Sequence, residues 1–402
     1  MISGGWGYSN LGDDAILVST INLLKNKYPD SNIVVMTYDT LDTGKIPMDE
    51  NVELIPSIHR YLVGDLFYRQ LRISKQKIDK KDGVVEKIYH KVRNLYDRLE
   101  AFRIRKKFEK LLKTPEVYPD YKYFQDADLF VQSGGGYFVG RWIDSVFSHS
   151  IELFIAHKLN VKSLIIGQSI GPFLNEEIRE TALIGLKVAD LICVRDQESV
   201  KELRSYGLHS ILSPDVVLSE SKFNYEKESV VVVILGSNIL DEAQLRIICI
   251  AIEKALVKTN YLVKVLVTRL WGRDIANASN IYEMLKKYDV NVSLIIPKDY
   301  KQLQDELGKS KVVISQNLHG LIMGWRSGAS CVSLNKSRKF IAFMEQSQQF
   351  DRIMSINELT ESKLMHLILN AIADMNNGNE MRHEVADSVR DVFFKSLDKV
   401  TA

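Results

Sequence analysis

A regular alternation of short apolar runs with amphipathic stretches constrains the fold of this 402-residue chain more than any other feature. Eight runs rich in valine, isoleucine and leucine recur along the sequence. They span residues 32–38, 128–132, 163–167, 191–195, 229–235, 261–268, 290–296 and 311–315. Strands that alternate with helices of roughly 10 to 20 residues build parallel sheets covered by helices. The sequence therefore predicts an α/β fold made of repeated strand–helix units.

A polar seam interrupts this alternation between residues 214 and 228, and a new buried strand follows it directly. We therefore expect an N-terminal α/β domain over residues 1–218 and a C-terminal α/β domain over 229–402, which finishes in terminal helices. Each domain would be Rossmann-like, and the two would face each other across a cleft. Folds of this kind bind ligands at the carboxyl ends of their strands.

The segment from residue 60 to 113 does not follow the alternation. It holds 17 Lys and Arg against 7 Asp and Glu, a charge of +10, so the remaining chain carries 36 minus 44, or −8. The net charge of +2 is thus a sum of opposite parts. Its apolar residues follow the spacing of one helical face: Val85, Ile88, Val92, Leu95, Leu99 and Phe102. This pattern predicts a basic helical insertion in the N-terminal domain.

Two interpretations of the insertion stay open. Its apolar face would pack on the N-terminal domain or on a partner subunit, with the charges in solvent. Alternatively, its basic surface would rest on an anionic membrane, where each basic residue adds about 1 kcal/mol. The near-neutral total charge disfavours nucleic acid as a partner.

Cysteine usage and hydropathy indicate a cytoplasmic protein. The three cysteines, Cys193, Cys249 and Cys331, are far apart and form no CxxC pair, so neither a disulfide framework nor a zinc site is predicted. The N-terminus lacks the basic and apolar regions of a signal peptide. The longest aliphatic run, 230–235, is far shorter than a membrane span. If the basic insertion binds lipid, the protein would be peripheral on the inner face of the membrane.

Three glycine-containing loops come directly after predicted strands. The first covers residues 4–14 and includes Asn10, the second contains Gly134, Gly135 and Gly136, and the third covers 167–173 and includes Gln168. Glycines allow a ligand to approach the backbone closely, and three in a row are costly to order merely to turn the chain. We predict that these loops bind substrate at the carboxyl edge of one sheet.

Charged residues and one histidine lie in similar positions. Arg195 ends a strand, and His319 follows another and precedes a helix. A histidine with a reference pKa of about 6.5 can exchange a proton near neutrality, or it can be a capped core residue. Asp13 and Asp14 either cap a helix or supply a carboxylate that polarises a sugar hydroxyl. The spacing of His149 and His157 does not match a metal motif, so no metal is predicted.

Taken in order, these motifs resemble the polysaccharide pyruvyl transferase family. The resemblance rests on residues 7–17, 134–136, 167–172, 194–199, 214–215 and 318–322. It implies a two-domain fold similar to that of GT-B glycosyltransferases. It also implies transfer of the pyruvate unit of phosphoenolpyruvate to a sugar of a polysaccharide or lipid-linked glycan precursor, which forms a cyclic ketal and releases phosphate. This chemistry requires neither a metal nor an organic cofactor.

The resemblance assigns roles to individual positions. Arg195 matches the arginine that holds the donor, His319 matches the motif histidine, and Lys336 lies where a lysine commonly follows the next strand. Asn317 departs from the family, because an arginine precedes the Leu-His pair there. A neutral amide cannot neutralise a carboxylate or phosphate. Another cation is then expected to replace it; the candidates are Arg269, Arg326 and Arg141.

Two other functions remain alternatives. A GT-B-like glycosyltransferase that uses a nucleotide sugar would need similar glycine loops, and fold alone does not separate the two activities. A non-catalytic scaffold of a polysaccharide-assembly complex would keep the fold without the donor site. The acceptor sugar and its linkage cannot be inferred from these motifs.

Overall fold

The computed structural model describes residues 1–46, 48–64, 99, 101–139, 143–173, 175–220, 225–236, 240–374 and 379–402. Contacts divide the chain into two compact units. Unit 1 comprises Met1–Tyr8, Lys25–Ser213 and Phe393–Ala402, and unit 2 comprises Ser9–Leu24 and Pro214–Val392. Neither unit is one continuous stretch of sequence, whereas the sequence analysis divided the chain once, between residues 218 and 229; that single boundary stays a prediction.

Unit 1 contains a seven-stranded parallel sheet in the order β3-β2-β1-β4-β5-β6-β7. Its strands are β1 (Ile2–Ser3), β2 (Ile33–Thr37), β3 (Val52–Pro56), β4 (Leu129–Ser133), β5 (Lys162–Gln168), β6 (Leu191–Val194) and β7 (Ile211–Leu212). Side chains on both faces of β4, β5 and β6 are mostly buried. Parallel strands covered on both faces are continuously apolar, which explains the runs seen in the sequence.

Helices connect these strands along the chain. They are α1 (Leu11–Lys27), α2 (Thr40–Thr43), α3 (Ile58–Val63), α4 (residues 101–113), α5 (Tyr121–Gln125), α6 (Ile143–Lys158), α7 (Glu176–Leu186) and α8 (Gln197–Ser205). Side-chain caps fix several of their starts. Asn175 accepts a hydrogen bond from the amide of Ile178, and Asp196 accepts one from the amide of Ser199. Residues 11–24 of α1, which are most of that helix, belong to unit 2.

Unit 2 repeats the architecture with a five-stranded parallel sheet in the order β10-β9-β8-β11-β12. The strands are β8 (Val230–Ile234), β9 (Leu262–Leu266), β10 (Val292–Ile295), β11 (Val312–Ser315) and β12 (Ser330–Ser333). The helices are α9 (Glu242–Leu256), α10 (Gly272–Leu285), α11 (Tyr300–Lys309), α12 (Leu318–Arg326), α13 (Arg338–Gln346), α14 (Glu361–Ala373) and α15 (Asn379–Thr401). Residues of α15 from Phe393 onward belong to unit 1.

Strand order reverses at one point in each sheet. In unit 1 this point lies between β1 and β4, where Ile2 pairs with Val131. In unit 2 it lies between β8 and β11, where Val231 pairs with Val312. The helices that leave two such strands lie on opposite faces of the sheet, so a crevice opens where their loops separate. Each unit therefore has one position at which its topology favours a ligand.

The predicted α/β fold with two parallel sheets is confirmed. The basic insertion predicted over residues 60–113 lies largely outside the described residues, which stop at 64 and resume at 99 and 101. Helix α4 within it contributes Ile104, Phe108 and Leu111 to the core of unit 1. No helix in the described part of the chain is both long and apolar enough to cross a membrane.

Candidate functional site

The crevice of unit 1 is formed by two glycine loops and contains the ring of Tyr137. One loop follows β1, and the other, Gly134 to Gly136, follows β4. The amide of Gly5 donates to the Tyr137 hydroxyl over 2.6 Å. A Cβ atom at Gly5 or Gly135 would overlap the Tyr137 ring, so both positions require glycine. At Gly135 a φ angle of 81° adds a second reason, and Gly134 has a φ angle of 61°; side chains disfavour both values.

Predicted residues Gln168 and Arg195 lie beside this loop. The amide of Ser169 donates to the carbonyl of Gly135 over 2.9 Å, and the amide of Arg195 donates to the carbonyl of Gln168 over 3.1 Å. The half-buried Arg195 side chain donates from Nε to Ser169 Oγ over 2.9 Å. The sheet edge thus brings the second glycine loop, Gln168 and Arg195 together, as predicted from their positions after β4, β5 and β6.

The Gln168 side chain is buried in a way that lowers the stability of the fold. Neither its amide nitrogen nor its amide oxygen has a hydrogen-bond partner among the described residues, and the residue is 0% exposed. Gln132, on the neighbouring strand β4, is equally buried, but its nitrogen donates to the carbonyl of His149 and to Glu152. Burial of an unpaired amide costs about 1–3 kcal/mol in proteins.

A buried polar network beneath unit 1's crevice was missed by the sequence analysis. Glu152 Oε2 accepts hydrogen bonds from Ser3 Oγ at 2.7 Å and Gln132 Nε2 at 3.0 Å, and it lies 3.0 Å from His149 Nδ1. The His149 ring stacks on Tyr137 with centroids 4.6 Å apart. Gln132 is a polar residue within an apolar strand, but nothing in the sequence links it to Ser3, His149 or Glu152.

In unit 2, the predicted residue His319 lies in the first turn of helix α12. The helix begins after β11, and Asn317 caps it. The Asn317 side-chain oxygen accepts from the amides of His319 at 3.1 Å and Gly320 at 3.4 Å. An arginine at position 317 could not accept these bonds. The departure from the family motif therefore exchanges a cation for a helix cap.

The imidazole of His319 packs against the glycine of the first loop. A Cβ atom on Gly12 would come within 2.5 Å of His319 Nδ1, so the close approach requires glycine. On its other side, His319 Nε2 lies 3.8 Å from Asp215 Oδ2, an ion-pair distance when the ring is protonated. His319 and Asp215 are 9% and 4% exposed, so their interaction is shielded from bulk water.

Asn10 and Asp13 form the start of helix α1 in the same unit. Asn10 Nδ2 donates to Asp13 Oδ2 over 2.6 Å, and the amide of Gly12 donates to Asn10 Oδ1 over 3.3 Å. Asp14 is mostly buried in the first turn. The amide of Leu11 donates to the carbonyl of Thr268 over 2.9 Å, which fixes this helix start on unit 2.

The cations proposed to replace the missing arginine have different surroundings. Arg269 pairs in a β-bridge with Asn10, and its guanidinium donates to Asp274 over 2.7 Å and lies 4.8 Å from the Trp271 ring. Arg326 is buried and donates to the carbonyl of Val217 over 2.7 Å. Arg141 lies outside the described residues. Arg269 thus lies beside Asn10, a predicted site residue.

Lys336 follows β12 on the surface of unit 2. Its Nζ lies 2.9 Å from Glu358, which also pairs with Lys363 at 3.1 Å. These two lysines lower the pKa of the exposed Glu358 carboxyl below its usual value. An anionic substrate would have to displace Glu358 to bind Lys336.

We also searched the described part of the chain for side chains that could bind a metal ion. There, no group of three or more histidine, cysteine, aspartate or glutamate residues could hold a metal ion. The three described cysteines are buried and unpaired. Burial raises the pKa of the Cys249 and Cys331 thiols to about 12, so neither is a ready thiolate ligand.

Solved structures with a similar fold include a UDP-GlcNAc 2-epimerase and two proteins solved with UDP. The chain is similar to UDP-GlcNAc 2-epimerase from Methanocaldococcus jannaschii, with 11% identity over 98% of this chain and 99% of that chain and a TM-score of 0.59. It is also similar to S. aureus MnaA solved with UDP, with 10% identity over 100% and 97% of the two chains and a TM-score of 0.52. A ugt transferase from Siraitia grosvenorii in complex with UDP has 12% identity, 100% and 98% coverage and a TM-score of 0.51. At these identities the likeness shows a GT-B-like fold and nothing of the activity.

No curated protein matches the chain. The sequence profile described as polysaccharide pyruvyl transferase does match it, over residues 10–337. This range includes both glycine loops around the predicted substrate residues, Arg195 and the whole of helix α12. It covers well over half of the chain, and it agrees with the motifs from which the resemblance was first drawn. The chain belongs to the polysaccharide pyruvyl transferase family.

Proposed function

We propose that this protein transfers the pyruvate unit of phosphoenolpyruvate to a sugar of a polysaccharide or lipid-linked glycan precursor, forming a cyclic ketal and releasing phosphate. The single observation that carries the proposal is the placement of His319. It lies at the crevice of unit 2, shielded from solvent, with Gly12 against one side of the ring and Asp215 3.8 Å from Nε2. A histidine fixed in this way is suited to deliver one proton to a bound substrate.

The reaction needs one proton at the start and returns protons from the acceptor. In our proposal His319 protonates the methylene carbon of the enol, which makes the central carbon electrophilic. A first sugar hydroxyl forms a bond to that carbon and loses its proton to a base. A second hydroxyl of the same sugar then attacks, the carbon–phosphate oxygen bond breaks, and phosphate leaves with the bonding electrons. The sugar gains a pyruvate ketal. The proton of the first hydroxyl replaces the one that His319 gave to the methylene carbon, and the proton of the second goes to the departing phosphate.

The donor is an anion, and its proposed partner in unit 1 is Arg195. Its guanidinium is half-buried and oriented by Ser169, while the Gly134–Gly136 loop lies on the neighbouring strand end. Arginine suits this role because its planar group forms paired hydrogen bonds with carboxylate or phosphate. In unit 2, Arg269 and Lys336 are the further proposed cations; each would exchange a carboxylate partner for the substrate.

The base that accepts the hydroxyl proton is proposed to be Asp13 or Asp14. The bond from Asn10 to Asp13 supports the helix-start interpretation for Asp13 at least as strongly as a catalytic one. A carboxylate can fulfil both roles only if Asn10 keeps it oriented while its second oxygen meets the sugar. Asp13→Asn and Asp14→Asn should therefore differ: the variant of the base loses activity, and the other retains it.

The activity is tested by phosphate release from phosphoenolpyruvate with candidate sugar acceptors and by the mass of the product. We expect His319→Asn to lower the rate by about 10² to 10⁴-fold, the usual contribution of a general acid. His366, exposed on helix α14 of the same unit, provides the matched control His366→Asn. A loss below tenfold in His319→Asn would show that this residue does not transfer the proton.

Donor binding by Arg195 has its own test and control. Arg195→Ala should raise the phosphoenolpyruvate concentration needed for half-maximal rate, whereas Arg204→Ala, on the exposed face of the following helix, should not. If the two substitutions have equal effects, Arg195 does not bind the donor.

A nucleotide-sugar glycosyltransferase is the second candidate, because Asn317 replaces a cation with a helix cap. Thermal unfolding separates the two functions. Stabilisation by phosphoenolpyruvate supports pyruvyl transfer, and stabilisation by a nucleoside diphosphate alone supports glycosyl transfer.

The positive charge of residues 60–113 supports a lipid carrier for the acceptor sugar. The +10 segment of residues 60–113 would keep the enzyme near anionic lipid on the inner face of the membrane, where a lipid-linked glycan is available. Flotation with liposomes of neutral and anionic composition tests this, and binding that does not depend on anionic lipid would contradict it.

A further inference from the structure

The ring of Tyr137 fills the crevice at the strand-order reversal of unit 1. Its hydroxyl accepts the amide proton of Gly5 from the loop after β1, and its ring lies where side chains of Gly5 and Gly135 would be. One aromatic side chain therefore touches both loops that border the predicted ligand position. A shift of this ring would change the space available in both loops at once.

The ring of Tyr137 contacts the imidazole of His149. The two rings are stacked, with centroids 4.6 Å apart and an angle of 29° between their planes. His149 lies on helix α6, and its Nδ1 is 3.0 Å from Glu152 Oε2, one helical turn further on. Both side chains are 1% exposed, so the pair is enclosed in the protein.

The Glu152 carboxylate also holds the two strands that lead into the loops. Ser3 at the end of β1 donates to Oε2 over 2.7 Å, and Gln132 of β4 donates to the same atom over 3.0 Å. Ser3 and Gln132 are paired neighbours across the two strands. A charged or polar group is costly to bury, so a chain of this kind indicates a requirement beyond core packing.

We propose that Tyr137, His149 and Glu152 are positioning residues that hold both glycine loops of unit 1 in one binding-ready conformation. Glu152 aligns the strand ends and the imidazole, the imidazole supports the Tyr137 ring, and the ring separates the loops. Preorganised backbone binds an anion without a further ordering cost. The expected effect on the KM for phosphoenolpyruvate rests on the proposed function, whereas the expected effect on the conformation of the two loops does not.

Hydrogen exchange of the full-length protein tests the structural part without substrate. We expect Tyr137→Leu to increase exchange of the amides in residues 4–7 and 134–136 at least tenfold. Tyr137→Phe keeps the stacked ring and should alter the Gly5 amide alone. The double variant His149→Phe with Glu152→Gln removes the charge together with the imidazole, so it leaves no unpaired carboxylate, and it should accelerate exchange in both loops.

His157→Phe is the matched control, because His157 lies on the same helix but is exposed. Unchanged exchange in both loops of folded Tyr137→Leu and of the double variant would overturn the proposal. An equal increase in His157→Phe would also overturn it, since any substitution in helix α6 would then suffice.

Steady-state kinetics supply the second arm. A positioning role predicts that Tyr137→Leu raises KM for phosphoenolpyruvate at least tenfold, lowers kcat less, and regains most of the loss in Tyr137→Phe. Equal loss in the Phe and Leu variants would overturn the role of the ring. If the wild-type protein does not turn over phosphoenolpyruvate, the proposed function fails, and the exchange measurements still decide the positioning proposal.

Discussion

Two buried glutamines on neighbouring strands should respond in opposite ways to the same substitution. Gln168 at the end of β5 is buried with no partner for its amide among the described residues, whereas the Gln132 amide donates two hydrogen bonds on β4. Methionine has nearly the same length and shape as glutamine but no strong polar atom. Gln168→Met therefore removes two buried amide atoms without hydrogen-bond partners among the described residues, whereas Gln132→Met removes two hydrogen bonds together with one such atom, Oε1.

The magnitudes follow from the cost of burying amides. An unpaired buried amide costs about 1–3 kcal/mol, so Gln168→Met should raise the free energy of unfolding by about that amount. Gln132→Met leaves the His149 carbonyl and Glu152 each with one donor fewer, and it should lower that free energy by about 1–3 kcal/mol. The two variants should then differ by roughly 2–6 kcal/mol.

Urea unfolding of both variants, followed by fluorescence and circular dichroism, measures the difference. The midpoint should move in opposite directions while the denaturant slope stays constant, because the surface exposed on unfolding is unchanged. If Gln168→Met destabilises the protein as much as Gln132→Met, the Gln168 amide is satisfied in solution and the reasoning fails. If Gln168 binds substrate, Gln168→Met should also lose activity while it gains stability.

Three further predictions concern unit 2. Asn317→Ala should lower the free energy of unfolding by about 0.5–2 kcal/mol through loss of the helix cap, whereas Asn317→Asp keeps it; equal stability of all three proteins in urea would contradict the capping role. Gly12→Ala should displace the His319 ring and lower phosphate release at least tenfold with an unchanged circular dichroism spectrum; full activity would show that the packing is not required. Burial lowers the pKa of Lys227 from 10.5 to about 8. Between these two pH values the unfolded chain keeps a proton that the folded chain has lost, so the free energy of unfolding should rise with pH across this window. Lys227→Met should abolish the rise. A wild-type slope equal to that of Lys227→Met would exclude this titration.

The parts of the fold that depend on local pattern could be predicted from sequence. Runs such as 229–235 are β-branched and continuous because a parallel strand is covered on both faces, and each was found as a strand. The glycine loops were also found, since a loop after a parallel strand reaches the ligand edge in any such fold. Asn317 was interpreted only as a missing charge, although an asparagine directly before a helix is also a cap signal.

Tertiary contacts account for what was missed. Ser3, Gln132, His149 and Glu152 are ordinary residues in sequence, and only the pairing of β1 with β4 beside helix α6 brings them together. Residues 9–24 belong to unit 2, and the contacts that join them to it include the bond from Leu11 to Thr268, more than 250 positions away. No periodicity or motif encodes a contact of that range.

Unit 1 includes residues 393–402, and this has a consequence for its folding during synthesis. Phe393 and Leu397 are fully buried, and Ser396 Oγ lies 3.3 Å from Cys193 Sγ on strand β6. Translation delivers these residues after almost all of unit 2 has been made. We therefore expect the apolar surface of unit 1 that these residues cover to stay exposed until they leave the ribosome, and an exposed apolar surface of this kind favours aggregation or chaperone binding.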